Sequence, residues 1–318
     1  MSKLYPGDVT QVHGIRVGQA QNEKARTGVT VVLGPREGAM AGVSVRGGAP
    51  GTRETDVLRP GNLVEVAHAV VLTGGSAFGL SAADGVMRFL SQAGIGIDMG
   101  IARIPIVPAA VLFDLAVGEP GTTPDAAMGR AAVTAAGKGL QQGVFGAGCG
   151  CTVGKLVQNA LPHQGGIGSA SITLPEGITV GAVIAVNAVG DVYDAASGKC
   201  IASARMSDGT AVLAEGLLRG AAPAPYQMRI PPPGTNTTIG VIAVDCKLTK
   251  DQVTRLSDVA HGGLARAIRP SHTQMDGDTL FALATERVLQ EVNFVKLCAA
   301  AQEVTARAVA NAILSVQG

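Results

Sequence analysis

The sequence predicts one α/β domain in which two sheets are covered by helices. Short apolar runs rich in Val, Ile and Ala, bounded by Gly and Pro, recur along the chain as strands do. Ala-rich segments of helical length lie between and after them. No internal repeat and no clear domain boundary interrupts the 318 residues, a length that fits one large domain with a sizeable core.

The elements follow in order. Val12–Val17, Val29–Leu33 and Ala41–Arg46 read as strands, and the last leads into the loop GGAPGTRET over 47–55. Ala67–Thr73 reads as one continuous apolar strand ending in GGSAFG, 74–79, with a helix from Ser81 to Gln92 behind it. Residues 104–118 hold an apolar stretch interrupted by Pro105 and Pro108, and Asp125–Gly137 reads as helix. GAGCGCTVGK (146–155) is followed by GGIGSAS (165–171), which opens a strand, and Ile178–Ala188 is a second strand with Asn187 at its end. A helix is expected over Ser203–Leu218, then a proline-rich coil over 221–236. Thr237–Cys246 reads as strand. Thr249 and Gln252 form a capping box that starts a helix running to about Ile268. SHTQMDGD (271–278) is a loop, Leu280–Thr285 a strand, and Val288–Val316 a closing helix.

Composition excludes several classes of function. Apolar residues make up 47% of the chain and charged residues 15%, so the protein packs a core rather than staying disordered. The net charge is +1 without a basic run, and aromatics are 3% with no Trp, so neither a nucleic-acid-binding face nor a base-stacking surface is expected. The five cysteines, 149, 151, 200, 246 and 298, read as reduced thiols of a cytoplasmic protein. The N-terminal MSKLYPGDVT has no apolar signal core. The longest apolar stretch, Ala102–Val117, contains Arg103, two prolines and Asp114, so no membrane association is expected.

Familiar motifs break down at single positions. A phosphate loop in GAGCGCTVGK needs Gly where Cys149 stands and Ser or Thr where Leu156 stands. The dinucleotide fingerprint finds Cys151 where it needs Gly, and a nucleophile elbow around Ser76 breaks at Phe78. The histidines at 13, 68, 163, 261 and 272 lack metal-ligand spacing, so neither a metal nor a cofactor is expected.

PPPGTNTTIGVIAVDC (231–246) delivers Asn-Thr-Thr from a proline-rich coil straight onto a strand. On composition alone this is a linker before an ordinary strand, since Thr is common in strands. Chemistry offers a second reading. If the Thr237 hydroxyl attacks the Asn236 carbonyl, the peptide becomes an ester that water can open. Thr237 is then an N-terminus, whose α-amine has an ordinary pKa of about 7.7–8.0 and acts as a base at neutral pH.

The chain resembles the family of self-cleaving amidases that includes the D- and β-aminopeptidases and the nylon-oligomer endohydrolase. The resemblance runs from about Asp8 to Val316 and rests on GVTVVLGP, GGAPGTRETD, LTGGSAFGLSAADGVMR, GAGCGCTVGK, GGIGSAS, VNAVGDV and TNTTIGVI, in the family's order. It implies an αββα sandwich like that of N-terminal-nucleophile hydrolases. It also implies self-cleavage of one amidase domain, residues 1–318, into 1–236 and 237–318. Some members cleave before Ser; Asn236-Thr237 looks like the nylon-oligomer hydrolase branch. By position, the resemblance implies Thr237 as nucleophile, Lys155 as a charge beside its oxygen and Asn187 as an oxyanion donor. Asp276 and Asp278 would orient the nucleophile and its amine. The loops carrying Gly75, Ser76 and Phe113 would wall the substrate pocket, together with 47–55. Two positions depart from the pattern: Phe113 stands where several relatives carry Tyr, and Gln164 where relatives often carry Lys. The substrate expected is a short peptide or an ω-amino acid oligomer, and the assembly expected is a homotetramer of cleaved pairs. The alternatives are an aminopeptidase acting on D- or β-amino acid N-termini, an acyltransferase of the ornithine acetyltransferase type, and a non-catalytic binding protein retaining the fold.

Overall fold

A computed structural model describes residues 3–220, 226–232, 234–290 and 292–317. The strands used below are β1 (Arg16–Asn22), β2 (Thr27–Leu33), β3 (Ala39–Val45), β4 (Thr52–Arg53), β5 (Val66–Ala67), β6 (Ala69–Thr73), β7 (Ala109–Val111), β8 (Gly166–Thr173), β9 (Thr179–Asn187), β10 (Thr237–Cys246) and β11 (Thr279–Val288). The helices are α1 (Ala82–Gln92), α2 (Ala126–Thr134), α3 (Lys250–Ala267) and α4 (Phe294–Leu314).

Two sheets form. One is ordered β1-β2-β6-β7-β4 and the other β8-β9-β10-β11-β3-β5. Helices α3 and α4 pack on the six-stranded sheet, and α1 and α2 on the five-stranded one. Three apolar layers result. Val70, Leu72 and Leu112 meet Val183, Ile239, Val241 and Phe281 between the sheets. Ile184, Ile242 and Leu280 meet Leu256, Leu264, Val304 and Val309 under α3 and α4. Val29, Val31 and Val71 meet Val86, Leu90 and Val133 under α1 and α2. This is the helix–sheet–sheet–helix arrangement that the resemblance implied. Its central strands are buried on both faces, which is why they read as unbroken apolar runs rather than alternating ones. Helix α4 lies unusually close to β8, because a Cβ at Gly168 would stand 2.1 Å from the Ala308 carbonyl.

Four expected elements change. The first strand starts at Arg16, because Asp8 caps a short 3-10 turn over Val9–Gln11 instead. The run 67–73 is two strands: Ala67 pairs with Ala39 in one sheet, Ala69–Thr73 pair with β2 in the other, and the chain crosses between sheets at His68. The helix expected over Ser203–Leu218 survives only as Ala214–Leu218. The residues before it form short strands around a turn, in which Met206 N–H donates to Thr210 O and Gly209 takes a positive φ of 87°. The closing helix starts at Phe294, capped by the Asn293 side chain on Val295 N–H, while Val288 still belongs to β11. The capping box of Thr249 and Gln252 forms as expected. The proline-rich coil lies partly outside the described residues. Among the described residues no helix is long and apolar enough to cross a membrane, and all five cysteines are free.

Candidate active site

Thr237 is the first residue of β10, where the strand enters the sheet between antiparallel β9 and parallel β11. Its Cα partner across β9 is Asn187, so the two side chains lie on one face of the sheet, and Thr238 lies on the other. Asn236, Thr237 and Thr238 are all buried. The peptide bond between Asn236 and Thr237 is therefore enclosed before any cleavage.

Two groups meet the carbonyl of that bond. The Thr237 hydroxyl donates to Asn236 O at 2.5 Å, and Gly277 N–H donates to the same oxygen at 2.9 Å. The hydroxyl lies against the carbonyl it would attack, and a backbone donor already faces the oxygen on which negative charge would grow. Gly277 must be glycine for this: a Cβ there would stand 2.8 Å from Thr237 Oγ1 and 2.8 Å from Ala49 O. The expectation for this loop rested on the carboxylates of Asp276 and Asp278 and did not include the N–H of the glycine between them.

The two carboxylates flank that glycine and turn to different partners. Asp278 Oδ1 accepts Thr238 N–H at 2.7 Å, and its Oδ2 accepts His272 N–H at 3.0 Å and lies 2.8 Å from His272 Nδ1. Asp276 Oδ2 turns back onto its own loop, accepting from Thr273 N–H at 3.0 Å and the Thr273 hydroxyl at 2.5 Å. Burial, and then the neighbouring Asp278 charge, push Asp276 up to about 6. Asp278 thus reaches the residue after Thr237, whereas Asp276 braces the loop and pairs with Asn236 as an isolated bridge.

Lys155 and Asn187 form a second group. Asn187 Oδ1 accepts from Lys155 Nζ at 2.8 Å and from Thr152 N–H at 3.0 Å, and its Nδ2 donates to Phe113 O at 2.9 Å. Lys155 Nζ also donates to Asn187 O at 3.2 Å and to Thr235 O at 3.4 Å. The side chain as a whole is half-buried, but its amine end is enclosed, and burial pulls its pKa down to about 7. The hydrogen bonds of this amine run to Asn187 and to Thr235, two residues before Thr237. An amine with that pKa is divided between its charged and neutral forms at neutral pH, where the resemblance implied a charge. Asn187 spends one of the two N–H bonds of its amide on Phe113.

A pocket of about 160 Å³ opens on Thr237, lined also by Ala49, Pro50, Ser76, Phe113 and Gly234. A larger one of about 530 Å³ is lined by Phe113, Lys155, Thr152, Arg229 and Pro231. Phe113 borders both. Ser76 faces the smaller pocket from a left-handed backbone, φ 52°, which is rare for a residue with a side chain. Gly75 lines neither; its N–H bonds the buried Asp114 carboxylate at 2.7 Å and so holds the loop. Among the described residues no group of three or more His, Cys, Asp or Glu could hold a metal ion.

Residues 7–318 match peptidase family S58. An uncharacterized aminopeptidase of Mycobacterium tuberculosis is 44% identical over 298 residues, which is 88% of this chain and 82% of that protein. The 6-aminohexanoate-oligomer endohydrolase of Kocuria sp. (strain KY2) is 33% identical over 279 residues, 86% of this chain and 74% of that one. Among solved structures, a β-aminopeptidase of Burkholderia sp. superposes with a TM-score of 0.72 at 24% identity, covering 99% of this chain and 89% of its own. The L-aminopeptidase D-Ala-esterase/amidase of Ochrobactrum anthropi, described as a variant of the Ntn hydrolase fold, gives 0.71 at 21%, covering 99% and 88%.

Proposed function

This chain belongs to peptidase family S58 and is a hydrolase of amide bonds, and on that premise we propose that it activates itself by cutting between Asn236 and Thr237. The observation that carries the proposal is the convergence of the Thr237 hydroxyl and the Gly277 N–H on the Asn236 carbonyl.

The steps follow from that geometry. Thr237 Oγ attacks the Asn236 carbonyl carbon and gives up its proton to a base, a role we assign to the amine of Lys155. Gly277 N–H steadies the oxyanion. The carbon–nitrogen bond then breaks, the Thr237 nitrogen takes a proton, and an ester joins Asn236 to Thr237 Oγ. Water opens the ester, leaving a carboxylate on Asn236 and a free amine and hydroxyl on Thr237. In each later turnover that hydroxyl attacks a substrate amide with its own α-amine as base. Asn187, one amide N–H of which is spent on Phe113, is assigned to the substrate oxyanion with its second N–H. Asp278 holds the Thr238 amide, and Asp276 braces the loop around Gly277.

The substrates proposed are short peptides or ω-amino acid oligomers, a class suggested by the names of the relatives. The assembly proposed is a homotetramer of cleaved pairs, and the location the cytoplasm.

Three variants test the nucleophile. Thr237→Ala is expected to stay whole and to hydrolyse no amide, because attacking group and base are lost together. Thr237→Ser retains part of each activity. Thr238→Ala, one residue along the strand and on the opposite face, still cleaves after Asn236. Cleavage by Thr237→Ala together with its loss in Thr238→Ala would move the nucleophile to Thr238.

A further inference from the structure

Asp278 touches the nucleophile's strand with one oxygen and is itself held by the other. Both contacts on that second oxygen come from a single residue, His272, through its backbone N–H and its ring Nδ1. A carboxylate oxygen only accepts, so the ring carries its hydrogen on Nδ1. His272 makes this double contact from a left-handed backbone, φ 57°, a conformation that residues with a side chain rarely adopt. The ring is further fixed by His261 of α3, which is buried and stands edge-on to it, 4.8 Å between centroids at 72°. His261 Nε2 lies 3.1 Å from Ser44 O, and burial pulls its pKa down to about 4, so it is a neutral wall at neutral pH.

We propose that His272 is a positioning residue: it fixes the Asp278 carboxylate so that Oδ1 meets Thr238 N–H, and so fixes the backbone on which Thr237 stands. Nothing in the catalytic steps needs its ring to touch substrate. It acts through Asp278 alone, by denying that carboxylate its other rotamers. The inference rests on Thr237 being the nucleophile.

The test compares three substitutions at one position. Asn favours the left-handed backbone and brings a side-chain donor to Asp278; Asp has the same size and similar backbone preference but no donor when ionised; Gly keeps the backbone and has no side chain. Self-cleavage is followed on denaturing gels from fresh precursor, and kcat and KM are measured on a short amide substrate. His272→Gly and His272→Asp are expected to slow self-cleavage and kcat by about 10²-fold with little change in KM, as misplacement of a reacting group does. His272→Asn is expected to recover most of both rates. Melting temperatures that differ less among the three than the rates do rule out a merely structural effect. Equal rates for Asn and Asp overturn the inference, and that pair alone decides it if the Gly variant does not fold. Wild-type protein that never cleaves after Asn236 would instead overturn the proposed function, so the two failures are distinct.

Discussion

Burial does to Lys155 what it does to any amine held away from water: it favours the uncharged form, here down to about 7 against about 10.4 for a free lysine. In the proposed mechanism, the amine mostly holds its proton below pH 7 and offers no lone pair to the Thr237 hydroxyl. Above it, the lone pair is free. Asp276, pushed up to about 6, loses its proton over a neighbouring range. Self-cleavage of freshly refolded precursor is therefore expected to be slow at pH 5, to rise through pH 6–7 and to flatten above pH 8. Lys155→Met should be slower by about 10²–10⁴-fold, the usual worth of a general base, and should lose the part of the rise centred near 7. A Lys155→Met precursor with the wild-type rate and profile would remove lysine from the mechanism. At this scale the residues alone marked Asn187, a polar group at the end of an apolar strand, while Thr237, Lys155, Asp276 and Asp278 were named by position through the resemblance. Neither disclosed Gly277 or His272. A glycine that works through its N–H looks like any turn glycine, and His272 acts through a contact set by the loop's backbone.

The elements hold the site by their register. Strand β10 enters with Thr237 opposite Asn187 on β9, and the parallel pairing with β11 brings the loop before Thr279 alongside Asn236. A slip of one residue would turn Thr237 to the other face. Helix α4 clamps this sheet from outside at Gly168, where a side chain would strike the Ala308 carbonyl and the Ala312 backbone nitrogen, at 2.1 and 2.2 Å. Gly168→Val tests the clamp. Valine suits a strand better than glycine does, so any loss isolates the packing. We expect a cost of about 1–3 kcal/mol, read as a lower melting temperature in calorimetry. A melting temperature equal to or above wild type would mean that α4 can move away freely. Strands β10 and β11 and helix α3 were legible because apolar runs and a capping box are local signals. The split of 67–73 was not, because both halves are apolar and only the two sheets, distant in sequence, separate them. The start of α4 was placed too early because the apolar Val288 and Leu289 precede the point where Asn293 caps the helix.

Over the whole molecule, the sandwich brings the two sheets and their loops to one point. Ser76 comes from the five-stranded side, Thr237 from the six-stranded side and Ala49–Gly51 from the loop that crosses between them, and they share one small pocket. The layered fold was legible from composition and patterning, whereas the pocket between the sheets was not, since it depends on how they face each other. The central claim is that the chain divides itself at the start of β10. It is tested most directly by intact mass under denaturing conditions, with N-terminal sequencing of the smaller product, on protein purified and held at neutral pH. The expected result is two chains, residues 1–236 and 237–318, the second beginning Thr-Thr-Ile-Gly-Val, with amide hydrolysis appearing as the precursor disappears. A single uncleaved chain that hydrolyses amides at full rate would contradict it.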